Sequence, residues 1–469
     1  MGIRFDWEIE AEQNTFVAGE DPAAAKRRRG LRFRLLLMVA LVFMIIGAIV
    51  VLIATRADQI QQEEENTLRA TVDAEVAALR IGNRSEFLSV QRSATDVWLQ
   101  TQDRTFDAYQ QLKLESDIRL TGQVQDIEIS ERRGRVKVEE VIDGVPYQRM
   151  WFYWRYDPVL NDQGVEIEPG GWFHVPPDYT FWGDTQLYEG EQVRISYREV
   201  DSALAQSMGA QLESWLTTAC NALTCSEVPT LAVSIEVDDA LSLRWAEENE
   251  WQLRLPSPYI NRARTDMPFS PELRIEIAAL LAERLVNTTT NNLQIQFASD
   301  ADFLRQSVVS WLVGQFVQVN PETYLIASLA TQYGAPVIGQ MLTALAPESS
   351  IAILSTATGV ESLAQLSVDW RDFLTWRLTL ENQLIRAGDI DSLLRWYDVR
   401  DEAINTLVYD RYNQNIVIEN PLVLLVQDAG VGADGSPQLL ATVQSGAEGA
   451  TTQQEVTFRL IDNVWKRIN

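Results

Sequence analysis

An uncharged apolar run of about 20 residues, from Leu35 to Ala54, limits what this chain can fold into more than any other feature. The run follows a basic cluster made of Lys26, Arg27, Arg28, Arg29, Arg32 and Arg34, and it precedes Arg56 and the acidic residues Asp58, Glu63, Glu64 and Glu65. A helix of this length crosses a bilayer, and basic residues stay on the cytoplasmic side. We therefore expect a cytoplasmic tail at residues 1–34, a transmembrane helix at 35–55 and the remaining chain outside the cytoplasm.

A cleaved signal peptide is the alternative interpretation of this run. The apolar region of a signal peptide usually has about 7–15 residues, and its basic leader is shorter than the one here. The sequence thus predicts a single-pass protein of the cell membrane, of bacterial type, with most of the chain extracytoplasmic.

The size and charge of the chain narrow the possibilities further. A chain of 469 residues exceeds what one hydrophobic core usually supports, so we expect several domains. The hydrophobic share of 46% indicates that most of the chain is folded. The formal net charge of −27 repels phosphate backbones, so nucleic acid is not an expected partner.

The two cysteines, Cys220 and Cys225, lie close together in the segment CNALTC. Outside the cytoplasm they can form a disulfide, although this spacing does not guarantee the required geometry. Two buried free thiols are the alternative. A zinc site built from two cysteines without histidine support is not expected.

Helical spacing from Gln59 to about Leu114 gives way to a period of two between Ile118 and Tyr197, with turn signals at Asp143-Gly144 and Gly170-Gly171. Helices followed by an antiparallel sheet predict an α+β fold. The segments LRIGNRSEFLSVQ, VKVEEVIDGVPYQRMWFYWR and GGWFHVPPDYTFWG resemble the NTF2-like fold, a cone of helices against a bent sheet, over residues 62–190. That fold hosts enzymes, binding pockets and structural modules alike.

The C-terminal residues 379–469 are similar to this first block. LIRAGDIDSLLRW matches LRIGNRSEFLSV, and EVTFRLIDNVWKRI matches the strand segments RMWFYWRY and GGWFHV. The matched positions are Arg386 with Arg80, Gly388 with Gly82 and Leu394 with Leu88. We expect a second, smaller NTF2-like domain here, although amphipathic helices also produce such similarity by chance.

The middle block, residues 192–378, resembles the gluzincin domain of thermolysin-like (peptidase MA-like) metallopeptidases. VRISYREVD and TLAVSIEVDD indicate strands on either side of a helix, and FSPELRIEIAALLAERLV indicates a capped amphipathic helix. The most specific similarity is YGAPVIGQMLTALAPESSIAILSTATGVESLAQLSVDWRDFL, whose turns fall at Tyr333-Gly334 and Gly359-Val360 and whose terminal tryptophan is Trp370.

Active gluzincins bind zinc through HExxH on one helix face, with a glutamate between the two histidines. Aligning that glutamate on Glu283 places Ala282 and Val286 at the histidine positions. Aligning it on Glu276 places Ile275 and Ala279 there. Neither alignment supplies an imidazole.

The third zinc ligand of the family is a glutamate in a later helix. The matching segment SWLVGQF places Val313 or Gly314 at that position. A site built only from Glu272, Glu276 and Glu283 runs against the preference of zinc for nitrogen and sulfur ligands. We expect no metal, no cofactor and no catalytic residue, and interpret this block as an inactive pseudopeptidase.

His174 is the single histidine of the chain and lies in an aromatic segment. A packed, hydrogen-bonded ring is one interpretation, and an acid–base group in an NTF2-like pocket is the other. Tryptophans cluster in the same region, at Trp151, Trp154, Trp172 and Trp182, and they either fill the core of the cone or line a pocket.

The sequence contains neither a G-x-S-x-G elbow nor a phosphate-binding GxxxxGK[ST] loop. The Gly-rich segment DAGVGADGS predicts a hairpin turn between LVLLVQ and QLLATVQ. The leading hypothesis is a membrane-anchored binding or scaffolding protein that holds a peptide or protein in the former substrate groove. The alternative is an active hydrolase or a small-molecule enzyme with its site near His174.

Overall fold

The computed structural model describes residues 22–319, 322–447 and 450–469, and it confirms a mixed α+β fold. The helices are α1 (Pro22–Ile81), α2 (Arg84–Ser89), α3 (Asp96–Glu115), α4 (Ser202–Leu223), α5 (Pro271–Thr289), α6 (Asp300–Val317), α7 (Tyr324–Tyr333), α8 (Pro336–Ala344), α9 (Ile353–Thr358), α10 (Arg371–Ala387), α11 (Ile390–Leu394) and α12 (Glu402–Asn413). The strands are β1 (Ile118–Ser130), β2 (Arg133–Ile142), β3 (Val145–Tyr156), β4 (Val159–Leu160), β5 (Glu166–Glu168), β6 (Gly171–Val175), β7 (Thr185–Glu189), β8 (Val193–Arg198), β9 (Leu231–Glu236), β10 (Arg244–Trp245), β11 (Gln252–Pro256), β12 (Ala263–Arg264), β13 (Leu422–Val431), β14 (Pro437–Ala447), β15 (Ala450–Ile461) and β16 (Val464–Arg467).

Helix α1 joins the apolar run to buried core positions without a break. Among the described residues it is the one helix long and apolar enough to cross a membrane, and its apolar window from Leu37 onward is entirely unburied. The same helix continues to Leu68, Val72 and Val76, whose side chains are buried. The intervening segment is rich in glutamate and glutamine, which favour propagation of a helix that has already formed.

The predicted cytoplasmic tail, residues 1–34, is described only in its second part. Residues 1–21 lie outside the described residues, and α1 begins at Pro22, so the backbone of the basic cluster belongs to this helix.

Two compact units can be distinguished in the chain. The first contains residues up to Gln110 together with Ile127–Gly134 and Tyr153–Val175. The second contains Gln111–Asp126, Arg135–Phe152 and Pro176–Asn469.

The N-terminal sheet has the strand order β1-β2-β3-β12, with β6 beside β3, and β4 and β5 form a separate two-stranded ribbon. The predicted turn at Asp143-Gly144 connects β2 to β3, and both residues have positive φ, 50° and 82°. Such a pair matches the twist of a tight two-residue hairpin, which explains why the sequence signal was reliable.

The next sheet, in the second unit, has the strand order β10-β11-β9-β8-β7. Strand β9 is parallel to both β8 and β11, because α4 carries the chain back between β8 and β9. Trp215 of α4 anchors the core under this sheet. Its ring stacks on Phe316 at 5.2 Å, and its Nε1 donates a 2.8 Å hydrogen bond to the carbonyl of the same residue.

Helix α5 begins where the sequence predicts. The side chain of Ser270 accepts a hydrogen bond from the N–H of Leu273, and Pro271 occupies the first turn. Proline fits this place because its missing N–H would have had no partner inside the helix.

The C-terminal sheet is antiparallel, with the order β13-β14-β15-β16. The predicted hairpin turn is confirmed, because DAGVGADGS ends β13 and leads into β14, and the N–H of Gly432 donates to the carbonyl of Ser436. Strand β13 forms one edge of the sheet, and its register shifts between Val423 and Leu425 and again between Asp428 and Gly430.

Candidate functional site

A buried glutamate stands at the centre of a small backbone motif in the first unit. Helix α1 ends at a left-handed glycine, Gly82, with φ of 78°. Asn83 then caps α2 by accepting a hydrogen bond from the N–H of Glu86. After α2, Gln91 forms an isolated parallel bridge with His174 of β6.

The second unit contains the same motif. Helix α10 ends at Gly388, with φ of 74°, and Asp389 caps α11 by accepting from the N–H of Ser392. After α11, Tyr397 forms an isolated parallel bridge with Arg467 of β16.

The backbone hydrogen bonds of the two motifs correspond one to one along the chain. Asn83 donates to the carbonyl of Ala78, as Asp389 does to that of Leu384. The further matched pairs are Phe87 to Asn83 with Leu393 to Asp389, Gln91 to Leu88 with Tyr397 to Leu394, His174 to Val90 with Arg467 to Trp396, and Arg92 to His174 with Asp398 to Arg467. So many coincident bonds favour a repeated unit over a chance resemblance of amphipathic helices.

Glu75 occupies the centre of the first motif and is buried. Its carboxylate accepts from Nδ1 of His174 at 2.7 Å, from Nε2 of Gln91 at 2.8 Å and from the hydroxyl of Tyr153 at 2.8 Å. Burial, together with the charge and hydrogen bonding of Glu75, raises the pKa of Tyr153 well above its ordinary value. The ring of His174 stacks on Tyr153 at 5.1 Å and meets the edge of Trp98 at 5.4 Å.

Glu381 occupies the corresponding place in the second motif. It accepts from Arg467 at 2.8 Å and also from the hydroxyl of Tyr397 and from Arg411. Burial and the neighbouring carboxylate raise the pKa of Tyr397 above its ordinary value, although the two arginines oppose this shift.

The two glutamates were missed by reasoning from sequence, although a signal was available. Glu75 precedes Gly82 by the same spacing that separates Glu381 from Gly388. Both carboxylates tie the end of a helix to a strand far along the chain, which is a structural function. His174, at 6% exposure, lies inside such a network rather than on the wall of an open pocket.

The four clustered tryptophans differ in burial. Trp151, Trp172 and Trp182 are buried, as expected for core residues, whereas Trp154 is 38% exposed. Trp154 lies near the end of β3, where two exposed positions follow four buried ones.

The gluzincin-like positions lie on α5 and α6. Ala282 and Val286 have no exposed surface, and Gly314 is buried as well. Glu276 and Glu283 are exposed on the other side of α5. Ile275 and Ala279, the positions of the other alignment, are exposed.

No group of three or more potential metal ligands occurs among the residues that the structure describes. Cys220 and Cys225 are bonded to each other at the end of α4. The neighbouring residue Thr224 has φ of 54° and lets the helix end in a tight turn.

An open groove of about 790 Å³ lies elsewhere in the second unit. One wall is the edge strand β13 from Leu424 to Val431 with the adjoining start of β14 and Trp465 of β16. The other wall is formed by the segment between Leu363 and Arg371 together with the end of α7. Asp369 and Arg371 on the second wall form a bidentate ion pair, and Arg371 also covers the ring of Tyr324 at 3.7 Å.

Asp372 follows this wall and binds two helix ends. Its carboxylate accepts from the N–H of Leu325 at 3.1 Å and from the N–H of Phe373 at 2.9 Å. Burial raises its pKa to about 7, while these backbone hydrogen bonds oppose the shift.

Comparisons of this chain with family models, with curated proteins and with solved structures find no match.

Proposed function

We propose that the chain is a single-pass protein of the cell membrane whose extracytoplasmic part binds or scaffolds other molecules without catalysing a reaction. In this proposal an NTF2-like domain (62–190) and a second one (379–469) flank a metal-free, gluzincin-like domain (192–378). The N-terminus is cytoplasmic.

The proposal rests mainly on the exposure of the apolar part of helix α1. Its apolar window is wholly unburied, so in water it would expose far more apolar surface than a soluble protein tolerates. The same helix supplies the buried residues Leu68 and Val72. From Ala54 to Leu68 the helix rises about 21 Å, so the folded part would stand on a short, stiff stalk above the membrane.

The non-catalytic part of the proposal rests on two sites. The side chains at the positions of the zinc-binding histidines, Ala282 and Val286, are packed into the core and offer no ligand. His174 is buried with Nδ1 bonded to Glu75, which argues against the alternative of a small-molecule enzyme at that histidine. The matched motifs around Glu75 and Glu381 support two related flanking domains.

Membrane insertion can be tested with the full chain in bacterial cells. We expect the protein to stay in the membrane fraction after alkaline extraction, and its C-terminus to be digested by protease added to spheroplasts. An Ile45→Arg, Ile49→Arg variant should lose membrane retention, whereas the matched Ile45→Ala, Ile49→Ala variant should keep it. A wild-type chain that is released by alkali, or whose C-terminus is protected, would contradict the anchor or its orientation.

The absence of catalysis needs a separate experiment. The purified full chain in detergent should contain no stoichiometric zinc by elemental analysis, and it should not cleave a mixed peptide library. Chelator-sensitive cleavage that disappears in Glu283→Gln would show an active metallopeptidase. Turnover of a small molecule that disappears in His174→Gln, with folding retained, would support the alternative enzyme.

A further inference from the structure

We propose that the groove along β13 binds an extended segment of a basic polypeptide, which adds a strand to the edge of the C-terminal sheet. This inference rests on the proposed binding function and names its contact surface. The groove has the volume of a ligand pocket, about 790 Å³.

The groove runs along the edge of β13 and continues onto the sheet, where Pro437–Leu439 of β14 and Trp465 of β16 also line it. Five consecutive residues, Leu424 to Asp428, all line it. Successive side chains of a strand point to opposite faces, so a groove lined by all of them runs beside the strand. The backbone groups on this side of β13 are not paired with another strand of the sheet.

Strand β13 has register shifts near both ends, but between them, from Leu425 to Asp428, its edge carries no basic residue or proline. Its sequence, LVLLVQDAGV, contains no lysine, arginine or proline, and edge strands commonly use these residues to prevent pairing. Instead it exposes apolar side chains, with Leu424 at 36%, Leu425 at 48% and Val431 at 70%. Thr375 accepts a hydrogen bond from the N–H of Val423, so this edge is closed at one end and available from Leu424 onward.

Trp465 adds an observation that points to a ligand. It lines the groove and is buried, yet its indole N–H has no acceptor among the described residues. Trp370 meets it edge-on at 6.0 Å and lines the same groove. A carbonyl of a bound peptide would provide the missing acceptor, since a buried N–H without a partner is costly.

The charged residues that line the groove favour binding of a basic peptide. Asp369 is neutralised by Arg371, but Asp428 has no cationic partner in the part of the chain that the structure describes. A second copy of this chain would bring its own net charge of −27 to the same surface, which opposes pairing of two copies. A segment that alternates basic and apolar residues complements both Asp428 and the exposed leucines.

The test uses the full chain in detergent micelles and the peptide KVKVKVK-amide, labelled with a fluorophore at its N-terminus. We expect saturable binding measured by fluorescence anisotropy. A peptide of the same sequence with alternate backbone amides N-methylated should bind about tenfold more weakly, because it keeps the charge but cannot complete a strand ladder. The acidic peptide EVEVEVE-amide, labelled in the same way, should not bind.

Variants of the chain locate the binding surface. Asp428→Lys and Leu425→Lys should each weaken binding of the basic peptide by about tenfold without changing the thermal midpoint, since both side chains are exposed. Asp410→Lys, an exposed change on α12 away from the groove, is the matched control for charge. Equal binding of the N-methylated peptide, or equal loss in the control, would overturn the proposal.

Two further outcomes also decide the question. A concentration-dependent dimer in sedimentation that Leu425→Lys abolishes would identify a second copy as the occupant and refute the proposal. No binding of any peptide would refute it as well. Neither result bears on membrane retention or zinc content, so the failure of this inference can be distinguished from failure of the proposed function.

Discussion

Glu75 and Glu381 hold equivalent positions in two copies of one helix–glycine–helix–strand motif, but they accept hydrogen bonds from different partners. Glu75 accepts from an imidazole, an amide and a phenol, whereas Glu381 accepts from a phenol and two guanidinium groups. The shared backbone therefore permits two different solutions to the problem of a buried carboxylate.

This difference predicts unequal effects of removing each charge. Glu381→Gln leaves Arg411 and Arg467 buried without a carboxylate, so we expect a loss of about 3–5 kcal/mol of local stability. Glu75→Gln retains a carbonyl acceptor for the amide of Gln91 and the phenol of Tyr153 and should cost about 1–2 kcal/mol. Hydrogen exchange at the amides of Tyr397 and Gln91, measured by mass spectrometry, reports each motif separately. Glu283→Gln, an exposed change on α5, should affect neither, and equal losses in the two variants would contradict this interpretation.

Local features of the fold were predictable because their signals are local. The turn at Asp143-Gly144 and the start of α5 at Ser270 follow from residues that favour positive φ or cap a helix. The apolar run likewise identified its own helix. These elements need no knowledge of distant residues.

The networks around the two glutamates were not predictable in this way. The partners of Glu75 lie on α2, β3 and β6, and nothing in the local pattern selects them. The similarity of Gly388 to Gly82 did indicate the repeat, because each glycine ends a helix in a left-handed conformation. The edge groove depends on which strand lies at the edge of the sheet, and local sequence patterns do not reveal the order of the strands.

The disulfide between Cys220 and Cys225 should stabilise the end of α4. For so short a loop, the entropy of the unfolded chain predicts a loss of roughly 2 kcal/mol on reduction. We expect denaturant unfolding of the full chain in detergent to shift on adding reductant. The Cys220→Ala, Cys225→Ala variant should have the lower stability from the outset and show no response to reductant. Alkylation of both thiols in unreduced native protein would contradict the bond.

Close packing of α8 against α4 requires glycine at position 339. A Cβ at Gly339 would lie 2.4 Å from the carbonyl oxygen of Leu223 and 2.5 Å from its carbon, and this backbone cannot move aside easily. We expect Gly339→Ala to destabilise the protein by about 1–3 kcal/mol in thermal or denaturant unfolding. Gln340→Ala, on the exposed side of the same helix, should stay within about 0.5 kcal/mol of wild type. A neutral Gly339→Ala would show that the two helices are less closely packed.

Asp372 should make stability depend on pH in a defined direction. Its pKa is raised from 3.8 to about 7, so the folded protein holds a proton that the unfolded chain releases. Stability from this group is therefore retained below pH 4, falls as the pH rises from about 4 to about 7, and stays constant above that range.

Asp372→Asn removes this titration while keeping an oxygen that can accept from Leu325 and Phe373. We expect the variant to be more stable than wild type at pH 8, by up to about 4 kcal/mol, and to lose that advantage towards pH 4. Thermal midpoints of both proteins between these pH values measure the difference, which cancels contributions from other groups such as Asp201. For Asp391→Asn, an exposed change on α11, the thermal midpoint should vary with pH as it does in wild type. If the thermal midpoint of Asp372→Asn also varied with pH as in wild type, this carboxyl would have an ordinary pKa in the folded protein.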